Sequence, residues 1–284
     1  MTDNKPAPYT FHKVREQCER PDADAWRAFL NFYSPLCLHL LGMYAPDVAA
    51  APHVWGKTLG TLAENNFERF RGTSRQSERE FLADVRALLL DTVMGEAPEG
   101  TANGVDATAP EGVAERLLDA EKLGKLLEGL PLLHQEMLFF RLAGYTDASI
   151  EKMLRFAPRV AERAFERLAA DFAAAQNLEK DRCPWPAEWL GILREARGGK
   201  KENCPQLHQF LRVQDGQVSW YDKEPLEKHV AGCLYCLERW TALREVGHWR
   251  RVAPAISPAQ VEEFLRAVPV APEPKKSLLR RMFG

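Results

Sequence analysis

The stretch that decides the fold is LPLLHQEMLFFRLAGYTDASIEKMLRFAPRVAERAFERL, residues 130–168. Apolar residues recur in it at steps of three and four, the period of an amphipathic helix, and the pattern breaks at Gly144 and Pro158. Gly144 suits the C-terminal cap of a first helix, and Thr146 suits the N-terminal cap of a second. The spacing therefore predicts three short helices in a helix-turn-helix. The residues predicted to face inward are Leu133, Met137, Leu138, Leu142, Ile150, Leu154, Val160, Ala164 and Phe165.

The third predicted helix carries the residues that could contact DNA. In a DNA-binding helix-turn-helix the last helix places its first residues in the major groove. Arg159, Arg163 and Arg167 form the basic face of this helix and are the predicted DNA-binding residues. Three carboxylates between residues 158 and 172 offset these arginines, so the segment is neutral. Two interpretations follow: a DNA-reading helix, or a helical hairpin that packs against protein.

The rest of the chain also has helical periodicity and shows no alternating strand pattern, which predicts an all-α fold. Between two helical regions, GEAPEGTANGVDATAPEG has the composition of a flexible linker. We predict a helical domain at 16–94, the linker at 95–112, the helix-turn-helix domain at 113–177, a small helical zinc-binding module at 198–248, and an extended tail with one short helix at 249–284.

Metal-ligand residue types cluster within residues 198–248 as His229-x3-Cys233-x2-Cys236, with Cys204 upstream. On one continuous helix the first three side chains would share a face. A fourth ligand from the preceding helix would complete a tetrahedron around a structural zinc ion. We therefore predict zinc as the cofactor and these four residues as its ligands, with His208 as the competitor of Cys204 or an outer partner. The alternative is that the cysteines are core residues beside a surface histidine.

Composition narrows the function classes. A formal charge of −2 and a pI near 6.4 exclude a protein that coats nucleic acid or membranes through bulk charge, so any DNA contact must come from a local basic patch. The chain shows neither a signal sequence nor a run of about 20 apolar residues, and we expect a soluble cytoplasmic protein with no membrane span. Because no phosphate loop or nucleophile elbow occurs, and the metal site offers no open position, we do not expect an enzyme.

Aromatic residues at helical spacing allow two interpretations. Trp55, Phe67, Phe70 and Phe81 could stack on unpaired DNA bases, or they could form the core of a helical domain. Their spacing favours the core.

In their order, these parts resemble a sigma factor of the extracytoplasmic-function type fused to the zinc-binding module of the zinc anti-sigma factors. DADAWRAFLNFYSPLCLHLL and FERFRGTSRQSEREFLADVRALLLD resemble parts of the sigma core-binding domain. LPLLHQEMLFFRLAGYTDASIEKML with RVAERAFERL resembles the domain that reads the upstream promoter element. CPQLHQFLRVQDGQVSWYDKEPLEKHVAGCLYCLERW resembles the anti-sigma zinc finger. The resemblance implies RNA polymerase core and promoter DNA as partners.

Two contact segments depart from the family's pattern. Where the family carries an acidic helix that docks on polymerase, this chain has APHVWGKTLGTL, which contains no carboxylate. Asp91 is followed by Thr-Val-Met-Gly, where the family usually has arginines. We expect a sigma-factor-like regulator of transcription initiation whose zinc module either masks its own sigma-like domains by contact or couples them to a signal. The alternative is a degenerate sigma-like scaffold or interaction protein that does not bind DNA.

Overall fold

A computed structural model of the chain describes residues 10–44, 48–96, 120–164 and 186–270. Within these ranges every regular element is a helix, which confirms the predicted all-α class. Residues 97–112 of the predicted linker and residues 271–284 of the tail lie outside the described ranges. No helix in the described part of the chain is long and apolar enough to cross a membrane.

The described ranges contain twelve α-helices with defined bounds, in addition to a helical segment that begins at residue 160. They are α1 (Phe11–Cys18), α2 (Ala23–Tyr44), α3 (Ala51–Gly72), α4 (Glu78–Glu96), α5 (Ala120–Leu127), α6 (Leu132–Leu142), α7 (Asp147–Leu154), α8 (Pro186–Gly198), α9 (Leu207–Gln214), α10 (Trp220–Ala231), α11 (Leu234–Val252) and α12 (Pro258–Leu265). A single 3-10 turn, Val48–Ala50, leads into α3. The short helix predicted in the tail is α12, which Ser257 caps by accepting a hydrogen bond from the Gln260 amide.

Aromatic rings fill the space between α2, α3 and α4. Trp26 packs against Phe70 with ring centroids 5.2 Å apart, and Phe29 packs edge-on against Phe81 at 6.0 Å. Trp55, Phe67, Phe70 and Phe81 are each no more than 2% exposed. In this conformation the four aromatics form core and are not available to stack on DNA bases.

Helix α3 is interrupted near its middle. Asn65, Asn66 and Phe67 have φ values of 49°, 56° and 64°, so three consecutive residues adopt the left-handed conformation. Asparagine tolerates this region, but a bulky residue such as phenylalanine rarely does. The ring of Phe67 stacks on Trp26 at 5.6 Å and is 2% exposed. Burial of this ring therefore offsets the backbone strain at the break in α3.

The helix at the centre of the molecule is α11. It contacts α2, α4, α6, α7, α8, α9 and α10. Apolar residues on several of its sides, among them Leu237, Trp240, Leu243 and Val246, are fully buried. A helix buried on most sides belongs to a core, whereas a surface helix buries one stripe. All four described ranges contribute residues to one continuous hydrophobic cluster.

The predicted helix-turn-helix consists of α6, α7 and a helical segment that begins at residue 160. Thr146 caps α7, as the sequence indicates, because its side chain accepts a hydrogen bond from the Ser149 amide. Glu151 reaches from α7 to the start of the third helix, where a carboxylate oxygen accepts a 3.0 Å hydrogen bond from the Ala161 amide. This bond satisfies a free donor at the helix end and fixes the angle of the turn.

The inward face of the motif is largely as predicted. Met137, Leu138, Leu142, Ile150 and Leu154 are buried. Two predictions are wrong: Leu133 is 42% exposed and Val160 is 40% exposed. Both lie in the first turn of their helices, where no other described helix covers them. Ala164 is half-buried, and Phe165 lies outside the described residues.

Candidate metal centre and the charge network on α11

The predicted metal ligands lie on three successive segments of the chain. Cys204 precedes α9, His229 lies in the last turn of α10, Cys233 is the N-cap of α11, and Cys236 lies in the first turn of α11. The prediction of a single helix through the last three residues is wrong, because α10 ends at Ala231 and the chain turns before α11 begins. The turn brings the ligands together in place of a shared helix face.

The geometry of the four side chains fits one metal ion. Their ligand atoms all lie within 4.8 Å of one another. His229 Nε2 is 3.2 Å from Cys236 Sγ, and Cys204 Sγ is 3.9 Å from Cys233 Sγ. Tetrahedral coordination by sulfur and nitrogen at about 2.0–2.3 Å places ligand atoms roughly 3.5–3.8 Å apart. His208 is not part of this cluster, which leaves Cys204 as the fourth member.

The surroundings of the cluster differ from one thiol to another. The amide of Lys201 donates a hydrogen bond to Cys204 Sγ at 3.2 Å. Burial raises the pKa of Cys204, but hydrogen bonds from the Lys201 amide and from Cys236 and Cys233 bring this pKa below its ordinary value. Burial raises the pKa of Cys236. Cys233 and Cys236 lie at the N-terminus of α11, where the helix dipole favours negative charge. Three sulfurs and one imidazole could supply all four ligands of a tetrahedral metal ion.

Further along α11 lies a buried network of charged and hydroxyl groups that joins distant parts of the chain. Arg86 of α4 donates to Glu238 at 2.5 Å and also to Glu245, both carboxylates belonging to α11. The other oxygen of Glu245 accepts from the hydroxyl of Tyr44 at 2.6 Å and from the hydroxyl of Tyr145. Arg86 also donates to the Tyr44 hydroxyl at 3.2 Å. The network therefore ties α11 to the end of α2, to α4 and to the turn before α7.

Burial and the charges of neighbouring groups together determine which groups of this network are protonated. Burial and the negative charge of Glu245 raise the pKa values of Tyr44 and Tyr145 well above the ordinary range, so both hydroxyls remain protonated donors. Burial lowers the pKa of Arg86, but the neighbouring Glu245, Tyr44 and Glu238 outweigh it and hold this pKa well above its ordinary value. One guanidinium thus serves two carboxylates, and Glu238 Oε2 has no hydrogen-bond partner among the described residues. Sequence reasoning missed this network.

Partly exposed ion pairs surround the buried network. Arg239 contacts Asp84 of α4 at 2.9 Å, and Arg250 contacts Glu78 of α4 at 3.2 Å. Arg244 contacts the buried Glu136 of α6 at 3.3 Å. Each pair joins α11 to another helix, so charge as well as apolar contact sets where α11 lies.

The structure describes two of the three predicted DNA-binding residues. Arg159 and Arg163 are exposed at the start of the third helix of the helix-turn-helix, and Arg167 lies outside the described residues. Arg159 has a φ of 70°, which marks the turn into that helix. The helices that pack around α11 do not cover these two side chains.

The fold and the site together define an all-helical protein with a Cys3His cluster suited to a metal ion. Comparison with protein-family models finds no match for the chain, and neither the curated proteins nor the solved structures contain a match.

Proposed function

We propose that the chain is a sigma-factor-like regulator of transcription initiation. Its own C-terminal zinc module keeps it in an inactive closed state, in which α11 packs on the sigma-like parts of the chain. In this proposal residues 16–94 contact RNA polymerase core, and the helix-turn-helix contacts promoter DNA. The observation that supports the closed state is the buried network of α11, in which Glu245 accepts hydrogen bonds from Arg86, Tyr44 and Tyr145. These three partners come from both sigma-like parts of the chain.

Zinc suits the metal centre by the chemistry of its ligands. Zinc favours tetrahedral sites made of cysteine sulfur and histidine nitrogen, and sites with four protein ligands are structural. Cys204, His229, Cys233 and Cys236 would hold the ion and thereby fix α9 and α10 against the first turn of α11. Glu238 lies two residues after Cys236 and Glu245 two turns further, so the metal would position the helix that carries the network.

Closure would mask the polymerase-contacting region because α11 packs on α2 and α4. A partner that needs those helix faces can bind only after α11 has moved away. Covalent attachment makes the competing contact intramolecular, at an effective concentration on the order of millimolar for a short flexible connection. Even a weak contact between α11 and α4 would then keep polymerase off.

The test is capture of RNA polymerase core by three forms of the full-length protein. The first form is the wild type. The second, Arg239→Asp with Arg250→Glu, places like charges against Asp84 and Glu78 and so favours release of α11. The third adds Asp84→Arg and Glu78→Arg, which restores both ion pairs with their signs exchanged. Increased capture by the second form and reversal in the third supports the proposal.

Two other outcomes count against it. Equal capture of polymerase by all three forms would show a sigma-like protein that α11 does not mask. Capture by none of them would overturn the sigma-like function and favour an interaction scaffold. One observation favours the scaffold: the hydrophobic cluster is continuous through all four described ranges, so opening would expose core.

A further inference from the structure

On the described part of the helix-turn-helix, most carboxylates are buried or paired, whereas most basic side chains are exposed. Of its described carboxylates, Glu136 is buried against Arg244, Asp147 pairs with Arg141, and Glu151 is 9% exposed and caps the third helix. Only Glu162 among the carboxylates of residues 132–164 is exposed without such a partner.

The basic side chains are arranged in the opposite way. Lys152, Arg155, Arg159 and Arg163 are all exposed. None of the four forms an ion pair with another described residue. A count along the third helix alone gives a neutral segment, but the folded surface of α7, the turn and the start of the third helix is positive.

The end of α11 extends this positive surface. Tyr145, in the turn before α7, stacks on Trp249 of α11 with ring centroids 6.0 Å apart. Helices α7 and α11 are also in contact. His248, the residue before Trp249 on α11, packs edge-on against the Trp249 ring with centroids 4.8 Å apart. Burial lowers the pKa of His248, and the charges of Arg251 and Lys152 lower it further. Arg251 follows Trp249 by two residues, at the end of α11 that meets the turn before α7. Arg251 is exposed.

We infer that the closed protein binds the phosphate backbone of duplex DNA through one composite basic surface made of Lys152, Arg155, Arg159, Arg163 and Arg251. Docking of α11 leaves the helix-turn-helix surface open and adds a cation to it. Closure would then mask polymerase contact without masking DNA contact. The inference rests on the proposed function for its choice of DNA as the partner, because a helix-turn-helix is the element that enters a DNA groove.

The size of the expected effect follows from counterion release. Each phosphate that a lysine or arginine neutralises contributes about 0.9 to the slope of log affinity against log salt. Loss of one such contact lowers the slope by about 1 and weakens binding to all sequences alike. A pair of substitutions that removes two contacts should therefore lower the slope by about 2.

The experiment measures binding of a fluorescently labelled DNA duplex to full-length, zinc-loaded protein by anisotropy across a range of salt concentrations. Two double variants divide the surface: Lys152→Gln with Arg251→Gln, and Arg159→Gln with Arg163→Gln. Lys13→Gln with Arg266→Gln removes two exposed cations on elements other than α7 and α11 and is the matched control. The helical circular-dichroism signal and the thermal midpoint report that each variant is folded.

The expected result is a slope about 2 lower for each of the two test variants and no change for the control. A lower slope only for Arg159→Gln with Arg163→Gln would overturn the composite surface and leave the DNA-binding part of the proposed function intact. Equal slopes for all proteins, or binding to vesicles that contain phosphatidylserine in place of DNA, would overturn both.

Discussion

Two groups of side chains, the candidate metal ligands and the buried charge network, connect α11 to other parts of the chain. We call them the two anchors of α11; they differ in the sequence separation of the residues they join. The candidate metal ligands all lie between Cys204 and Cys236, on neighbouring segments. The charge network joins groups much further apart: Tyr145 and Glu245 are 100 positions apart, and Tyr44 and Glu245 are 201. The metal centre can therefore organise its own module, whereas the network exists only when the module lies against the rest of the protein. Internal order of the module and its docking should respond to different substitutions.

Metal removal should produce the largest effect. We expect Cys236→Ser to reduce bound zinc from one ion per chain to none, because the closed site loses one of four ligands at a fully buried position. At free zinc about 1,000 times above the dissociation constant, the lost stabilisation is roughly 4 kcal/mol. Zinc content by mass spectrometry and thermal unfolding with and without added zinc measure both quantities.

The matched control for metal binding is His208→Ala, since His208 lies on the same module but outside the cluster. It should retain one zinc ion per chain. Full zinc content in Cys236→Ser would show that these four residues do not form the site.

Disruption of the network should have a narrower effect: it should lower stability by a similar amount but leave metal binding unchanged. Glu245→Ala leaves the guanidinium of Arg86 and two hydroxyls without their shared acceptor in a fully buried position. Removal of one partner from a buried ion pair costs roughly 3–5 kcal/mol. We therefore expect the free energy of unfolding, measured by urea titration, to fall by about that amount, with zinc content still at one ion per chain.

Glu238→Gln gives a sharper comparison within the same network. Arg86 serves both carboxylates, and one oxygen of Glu238 is without a partner, so this substitution removes a buried negative charge that is only half satisfied. Its cost should be about 1 kcal/mol or less, within the range of an ordinary hydrogen bond. An equal loss of stability in Glu238→Gln and Glu245→Ala would contradict the central place of Glu245.

The two anchors also differ in how far sequence alone could predict them. Cysteine and histidine at short spacing are rare outside metal sites, so the four ligands could be chosen without a structure. The helix through them could not, because Gly232 and Cys233 break it in a way that periodicity does not show. Arg86 stands among apolar residues, but its partner Glu245 is too distant in sequence for the pairing to be inferred.

The helix-turn-helix gives the same lesson for charge. Thr146 could be identified as a cap because capping depends on nearby residues. The net charge of the third helix does not give the charge of the surface around it, because Lys152 and Arg155 lie before that helix and the Glu151 carboxylate accepts from the Ala161 amide. Which charges reach the surface depends on packing, and packing is not visible in a count.

The smallest predicted effect concerns pH and distinguishes the docking interface from the metal centre. His39 of α2 packs against Trp249 of α11 with ring centroids 3.7 Å apart, and its Nε2 has no hydrogen-bond partner among the described residues. Burial lowers the pKa of His39, although Glu245 opposes the shift. Burial also lowers the pKa of His248, with Arg251, Lys152 and His39 adding to the effect. Two histidines at the interface of α2, α7 and α11 are therefore harder to protonate in the folded protein.

The sign of the pH dependence follows from these two shifts. An unfolded histidine has a pKa near 6.5, so in acid the unfolded chain takes up protons before the folded one does. The free energy of unfolding should be greatest above pH about 6.5 and should fall as the pH decreases below it. His39→Phe with His248→Gln should flatten this slope, measured by urea titration at a series of pH values in chelator-free buffer with zinc. The exposed His53→Gln is the control. An unchanged slope in the double variant would assign the acid sensitivity to groups outside the α11 interface and leave docking independent of pH.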